Sequence, residues 1–95
     1  MERLDDAAIS AGLRRVAWQR AGDAIVKVQT FADFAEAFAY VRAVAEIAEL
    51  RRHHPDIAIS WNRVTLTLST HSAGGLTARD LDLAAAIDAL GAPAD

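Results

Sequence analysis

The stretch Ile57-Ala58-Ile59-Ser60-Trp61-Asn62-Arg63-Val64-Thr65-Leu66-Thr67-Leu68-Ser69 alternates twice, with a polar break between the runs. Alternation marks a strand with one buried face, because successive side chains point to opposite sides of a sheet. Ile57, Ile59 and Trp61 share a face of the first run. Val64, Leu66 and Leu68 turn inward in the second, and Thr65, Thr67 and Ser69 outward. With Asn62-Arg63 as the turn, the stretch predicts an antiparallel hairpin. Trp61 is either core or a flat surface for a ring, and periodicity does not choose between them.

Upstream, Phe31, Phe34, Phe38, Val41 and Ala45 recur at helical spacing, and Ala37, Val44 and Ile47 widen that apolar face. A helix from Phe31 to about Leu50 follows, with Thr30 as N-cap and Asp33 completing a capping box. It ends near Arg52 or His53, because Pro55 disfavours helical geometry at His54. Earlier still, Trp18–Arg20 and Ala24–Gln29 flank Ala21-Gly22-Asp23, a second hairpin signal. Asp5 to Val16 reads as a short helix capped by Asp5 or Asp6, with Ile9, Leu13 and Val16 on one stripe and Gly12 weakening it. Downstream, Ser72-Ala73-Gly74-Gly75 is a loop. Thr77 caps a last helix running to about Leu90, with Asp80 as its third residue. The order α-β-β-α-β-β-α implies an α+β fold, a four-stranded antiparallel sheet whose amphipathic helices cover one face.

With 95 residues there is room for one domain, with an ordered core from about residue 4 to residue 90. Thirteen acidic against ten basic residues give a net charge of −3, which argues against a nucleic-acid footprint. Cysteine is absent, so disulfides, thiolate metal sites and thiol nucleophiles are excluded. No apolar run approaches the roughly 20 residues that span a bilayer. The charged start MERLDDAAIS lacks a signal peptide's apolar region, so the expectation is a cytoplasmic protein with no membrane partner. A core this small is marginal, which makes self-association a physical expectation.

All three histidines fall between residues 53 and 71. Imidazole titrates near neutrality, so His53, His54 and His71 suggest general acid/base work. Glu49, four residues before His53, would orient that ring from the same helix face. A zinc site is the second functional alternative, although adjacent histidines rarely aim at one ion. The bland alternatives are a helix-dipole partner for His53 or His54 and a plain capping role for Asp80.

Taken together, Glu49-x-x-x-His53-His54-Pro55, Trp61-Asn62-Arg63-Val64, Leu68-Ser69-Thr70-His71 and Gly75-Leu76-Thr77-x-x-Asp80-x-x-Leu83-Ala84 resemble the pterin-4a-carbinolamine dehydratase family. The resemblance extends upstream through Phe31-x-x-Phe34-x-x-x-Phe38 and Trp18, although Ile57 stands where many members carry Trp. It implies dehydration of 4a-hydroxytetrahydropterin to quinonoid dihydropterin, in recycling of the pterin cofactor of aromatic amino acid hydroxylases. His53, His54 and His71 would line the pterin site, with His53 and His71 as the acid/base pair and His54 auxiliary. Glu49, Pro55, Trp61 and Asp80 would bind substrate or shape the site, and backbone groups of Ser69 and Thr70 would hold the pterin's amide edge. No cofactor or metal is implied. The partners implied are the pterin and further copies of the chain, as a homodimer or homotetramer. Relatives on this fold that act as assembly chaperones or dimerisation partners supply the alternative, a non-catalytic scaffold, and a pterin sensor is a third reading.

Overall fold

The computed structural model describes residues 2–91. Its elements follow the expected order: α1 (Asp6–Leu13), β1 (Gln19–Ala21), β2 (Ala24–Thr30), α2 (Phe34–Arg51), β3 (Asp56–Ser60), β4 (Arg63–Leu68) and α3 (Ala78–Asp88), with a 3₁₀ turn at His71–Ala73. The sheet is antiparallel throughout, in the order β1-β2-β4-β3.

One face of the sheet carries the core. Ile25, Val64, Leu66 and Leu68 are buried there with Ala37 and Val44 of α2 and Leu83, Ala84 and Ile87 of α3. Each Val, Leu or Ile among them contributes about 1.5–3 kcal/mol by leaving water. Lys27 lies on this inward face, opposite Leu66. Its charge is met by Asp88, which also accepts from the Ala17 N–H and the Trp18 indole, at 2.8, 2.8 and 3.0 Å respectively. One carboxylate thus ties the end of α3 to β2 and to the entry of β1. Gly12 earns its place in α1 by packing. A Cβ there would fall 2.3 Å from Leu81 Cδ1, so the bare backbone lets α1 rest on that side chain of α3.

Three expectations are corrected. α2 starts at Phe34 with Asp33 as N-cap, its side chain accepting from the Glu36 N–H. Thr30 instead ends β2 opposite Arg63, and Phe31 is buried beside Tyr40 with ring centroids 4.9 Å apart. The helix's buried stripe is therefore Ala37, Tyr40, Val44 and Ala48, whose mostly small side chains let it lie close to the sheet. Phe34 and Phe38, expected in the core, are 48% and 47% exposed and stack on each other at 5.9 Å. Finally, Ser60 pairs with Arg63, so the hairpin turn is Trp61-Asn62. Trp61 adopts a left-handed backbone (φ 52°), which a two-residue hairpin loop commonly requires, and is 64% exposed. Asn62 locks the turn by donating its side-chain amide to the Phe31 carbonyl at 2.8 Å.

Tyr40 is the one buried side-chain polar atom without a partner among the described residues. Burial, and secondarily the negative charge of Asp88, push its phenol from 10.0 up to about 12.

Candidate active site

The site grows from the way α2 ends. Arg52 takes a left-handed conformation (φ 53°), and the His53 N–H reaches back to the Ala48 carbonyl at 3.2 Å. This Schellman-type ending usually employs glycine, and a side-chained residue there costs roughly 1–2 kcal/mol. Arg79 of α3 steadies the strained turn by donating its guanidinium to the Arg52 carbonyl. Pro55 then holds the chain extended into β3. The consequence is that two consecutive imidazoles leave the chain in opposite directions.

His53 goes inward and is buried. Its Nε2 lies 2.5 Å from Asp80 Oδ1, and Asp80 itself is wholly inaccessible. The other Asp80 oxygen accepts from the Thr77 N–H at 2.9 Å and the Thr70 hydroxyl at 2.7 Å. Thr70 and Thr77 hydroxyls meet at 2.9 Å. Thr77 and Asp80 do form the expected capping box, so one carboxylate closes α3, anchors the residue before His71 and engages His53. An ionised Asp80 requires the hydrogen on His53 Nε2.

His54 goes outward. Its Nε2 lies 2.5 Å from Glu49 Oε2, both side chains being largely exposed. The sequence spacing matched Glu49 with His53. That match assumed an unbroken helix, and the left-handed residue at Arg52 hands Glu49 to His54 instead. His54 lines an open cleft of about 220 Å³ with Asp23, Ala24, Asp56, Thr67, Ser69 and His71. His71 opens the 3₁₀ turn and stands on the outward side of the β4 alternation, as its position after Thr65, Thr67 and Ser69 implied. The turn is closed by Gly74 at φ 74° and by the Thr70–Gly75 bridge.

The structure thus brings His54 and His71 into one cleft, and His53 and Asp80 into one buried network, with His53 also bordering a separate open cleft of about 230 Å³ beside Arg51, Arg79 and Asp82. Ser69 lines the cleft, but its hydroxyl is spent on the Asp23 carbonyl at 2.8 Å. Thr70 uses its backbone N–H and carbonyl on Gly75, at 2.9 and 3.3 Å. Pro55 is buried at the bend. Trp61 stands past the far end of β3 from Asp56, five residues away at roughly 3.3 Å each. Among the described residues, no three histidine or carboxylate side chains gather as a metal-holding group. Sequence reasoning missed Asp23, Asp56 and Thr67. The alternation that placed His71 outward also placed Thr67, so that signal was present.

A family model described as "Pterin 4 alpha carbinolamine dehydratase" matches residues 2–90. The chain belongs to this family. A Thermomicrobium roseum relative, provisionally named pterin-4-alpha-carbinolamine dehydratase, is 55% identical over 88% of this chain and 91% of its own. One from Acidobacterium capsulatum with the same provisional name is 53% identical over 95% and 99%. Among solved structures, a "transcriptional coactivator/pterin dehydratase" from Brucella melitensis superposes with TM-score 0.89 at 35% identity, over 94% of this chain and 98% of that one. A pterin dehydratase-like protein described as a RuBisCO assembly factor of the alpha-carboxysome superposes at 0.64 with 26% identity, over 81% and 90%. The α+β order read from the sequence is that of the pterin dehydratase fold.

Proposed function

We propose that the protein dehydrates 4a-hydroxytetrahydropterin to quinonoid dihydropterin, with His54 and His71 as the proton-transferring pair. The observation that carries this reading is their shared, solvent-open cleft. In the reaction the C4a–O bond breaks and the hydroxyl leaves as water, taking a proton from one imidazolium. The second imidazole removes the N5 proton, and the C4a=N5 double bond forms. The two rings exchange protonation states, and solvent restores them.

The sequence spacing favoured His53 as partner to His71. The geometry supports His54 in that part, because His53 is buried with Nε2 committed to Asp80. His53 and Asp80 act as positioning residues for the bend at His54 and the turn at His71. Glu49 orients His54. The reading extends to a cytoplasmic homo-oligomer that recycles tetrahydropterin. The exposed Phe34–Phe38 stack supports self-association, and no helix among the described residues can cross a membrane.

The rival is a scaffold without turnover, favoured by the assembly-factor role described for one structural relative. Purified protein given freshly generated 4a-hydroxytetrahydropterin decides between them. A dehydration rate well above buffer is expected, and a rate equal to buffer overturns the dehydratase reading.

A further inference from the structure

The second open cleft, of about 230 Å³, is lined by Arg51, His53, Arg79 and Asp82, none of which lines the cleft of His54 and His71. Arg51 comes from the last turn of α2. Arg79 comes from the first turn of α3, where the helix's partial positive charge adds to that of the guanidinium. None of the ion pairs among the described residues uses Arg51, Arg79 or Asp82. Arg79 gives an N–H to the Arg52 carbonyl, which fixes its guanidinium while other donors of the fork stay unspent. Two guanidiniums against one carboxylate leave this cleft an excess of positive charge. His53 spends Nε2 on Asp80, and its Nδ1 has no protein partner among the described residues. Only the Tyr40 hydroxyl is both sealed and partnerless there, so His53 Nδ1 keeps access to solvent, and this is the cleft its ring borders.

We infer that this cleft binds inorganic phosphate and recognises it by its hydrogen. The lining offers donors and acceptors together. The guanidiniums take oxygens of a tetrahedral anion in the forked, charge-assisted contacts that arginine makes with phosphate. Asp82 can only accept, and so can Nδ1 of a His53 ring that donates its Nε2 hydrogen to Asp80. An acceptor facing an anion repels it unless the anion carries a hydrogen there. Inorganic phosphate keeps at least one hydrogen at neutral pH and sulfate keeps none, while a phosphomonoester loses its last above about pH 6. Monohydrogen phosphate satisfies one acceptor and dihydrogen phosphate both, whereas the fully ionised anions satisfy neither. The arginines thus admit the oxyanion, and the acceptors reject its hydrogen-free analogues. The cleft is smaller than the roughly 300–1,000 Å³ of drug-sized sites, which suits so small a ligand. Bound phosphate would join α2 to α3 at the bend from which His53 and His54 leave the chain, whether or not the chain turns over pterin.

The test titrates the full chain with inorganic phosphate, sulfate and glycerol 2-phosphate at fixed ionic strength and about pH 7.5, followed by amide NMR. Phosphate is expected to shift the Arg51, Arg79 and Asp82 amides and to bind at least about tenfold tighter than either other anion. Asp82→Asn is expected to shrink that preference below about threefold, because an amide can donate to an ionised oxygen. Arg51→Ala removes a guanidinium that makes no ion pair and is expected to weaken phosphate roughly tenfold. Phosphate should also raise the urea midpoint of wild type more than that of Arg51→Ala. Absence of binding, equal affinity for phosphate and sulfate, a preference that survives Asp82→Asn, or shifts confined to His54 and His71 would each overturn the inference. None of these outcomes touches the dehydratase reading, which turnover of 4a-hydroxytetrahydropterin decides.

Discussion

Two histidine–carboxylate pairs lie within a few residues of each other and share one separation, 2.5 Å. His53–Asp80 is buried, and its carboxylate also accepts from Thr70 and Thr77. His54–Glu49 is open to water. Distance alone would make them equivalent, but their surroundings do not. The buried pair is costly to break, because each partner would be left desolvated, although His53 also borders an open cleft of about 230 Å³ with Arg51, Arg79 and Asp82. The open pair is held weakly enough to exchange protons with a ligand and with solvent. On the proposed reading, one imidazole serves architecture and the next serves chemistry.

The largest expected effect separates these roles by rate. His54→Ala and His71→Ala should each lower dehydration by roughly 10²–10⁴ with the urea midpoint nearly unchanged. Equal rates in His54→Ala and wild type would erase the distinction. Next, Asp80→Ala should cost about 3–5 kcal/mol in urea unfolding, because it strands His53, Thr70 and the Thr77 N–H. A loss below about 1 kcal/mol would show that the network carries little stability.

Tyr40 offers a third case, a buried polar group with no partner. Its raised phenol favours the neutral form in the folded state. Its contribution is complete below 10.0, the ordinary tyrosine value, and is lost as pH rises through about 12. Wild type should therefore lose a few kcal/mol between about pH 9 and pH 12 relative to Tyr40→Phe, read from paired urea midpoints. Parallel midpoints across that range would remove Tyr40 from the alkaline transition. Smallest of all, Glu49→Gln should change stability by less than about 1 kcal/mol, while Asp80→Asn costs clearly more. Similar losses from both would break the comparison at its root.

What the sequence disclosed follows the reach of its signals. Alternation in Val64–Leu68 and the spacing of Thr77 and Asp80 are local, and the hairpin and capping box stand as expected. The start of α2 was misjudged because Thr30 and Asp33 are both good caps. The choice between them was made elsewhere, by pairing of Thr30 with Arg63 and by the two hydrogen bonds between Phe31 and Asn62. Trp61 looked like a continuation of the Ile57–Ile59 face until register moved it into the turn. The three histidines were legible as a group. Their division was not, because it depends on one left-handed residue, Arg52, whose type gives no warning of that conformation.

That residue has an evolutionary consequence. Arg51 and Arg52 point no side chain into the cleft of His54 and His71, so its chemistry would tolerate many replacements there, and glycine at Arg52 would relieve the turn. Chain length is another matter. One residue inserted or deleted between Glu49 and Pro55 would rotate the bend and exchange the imidazole facing water for the one facing the interior. Relatives that keep this chemistry should therefore vary in residue type at Arg51 and Arg52 while keeping the number of residues from Glu49 to Pro55 fixed.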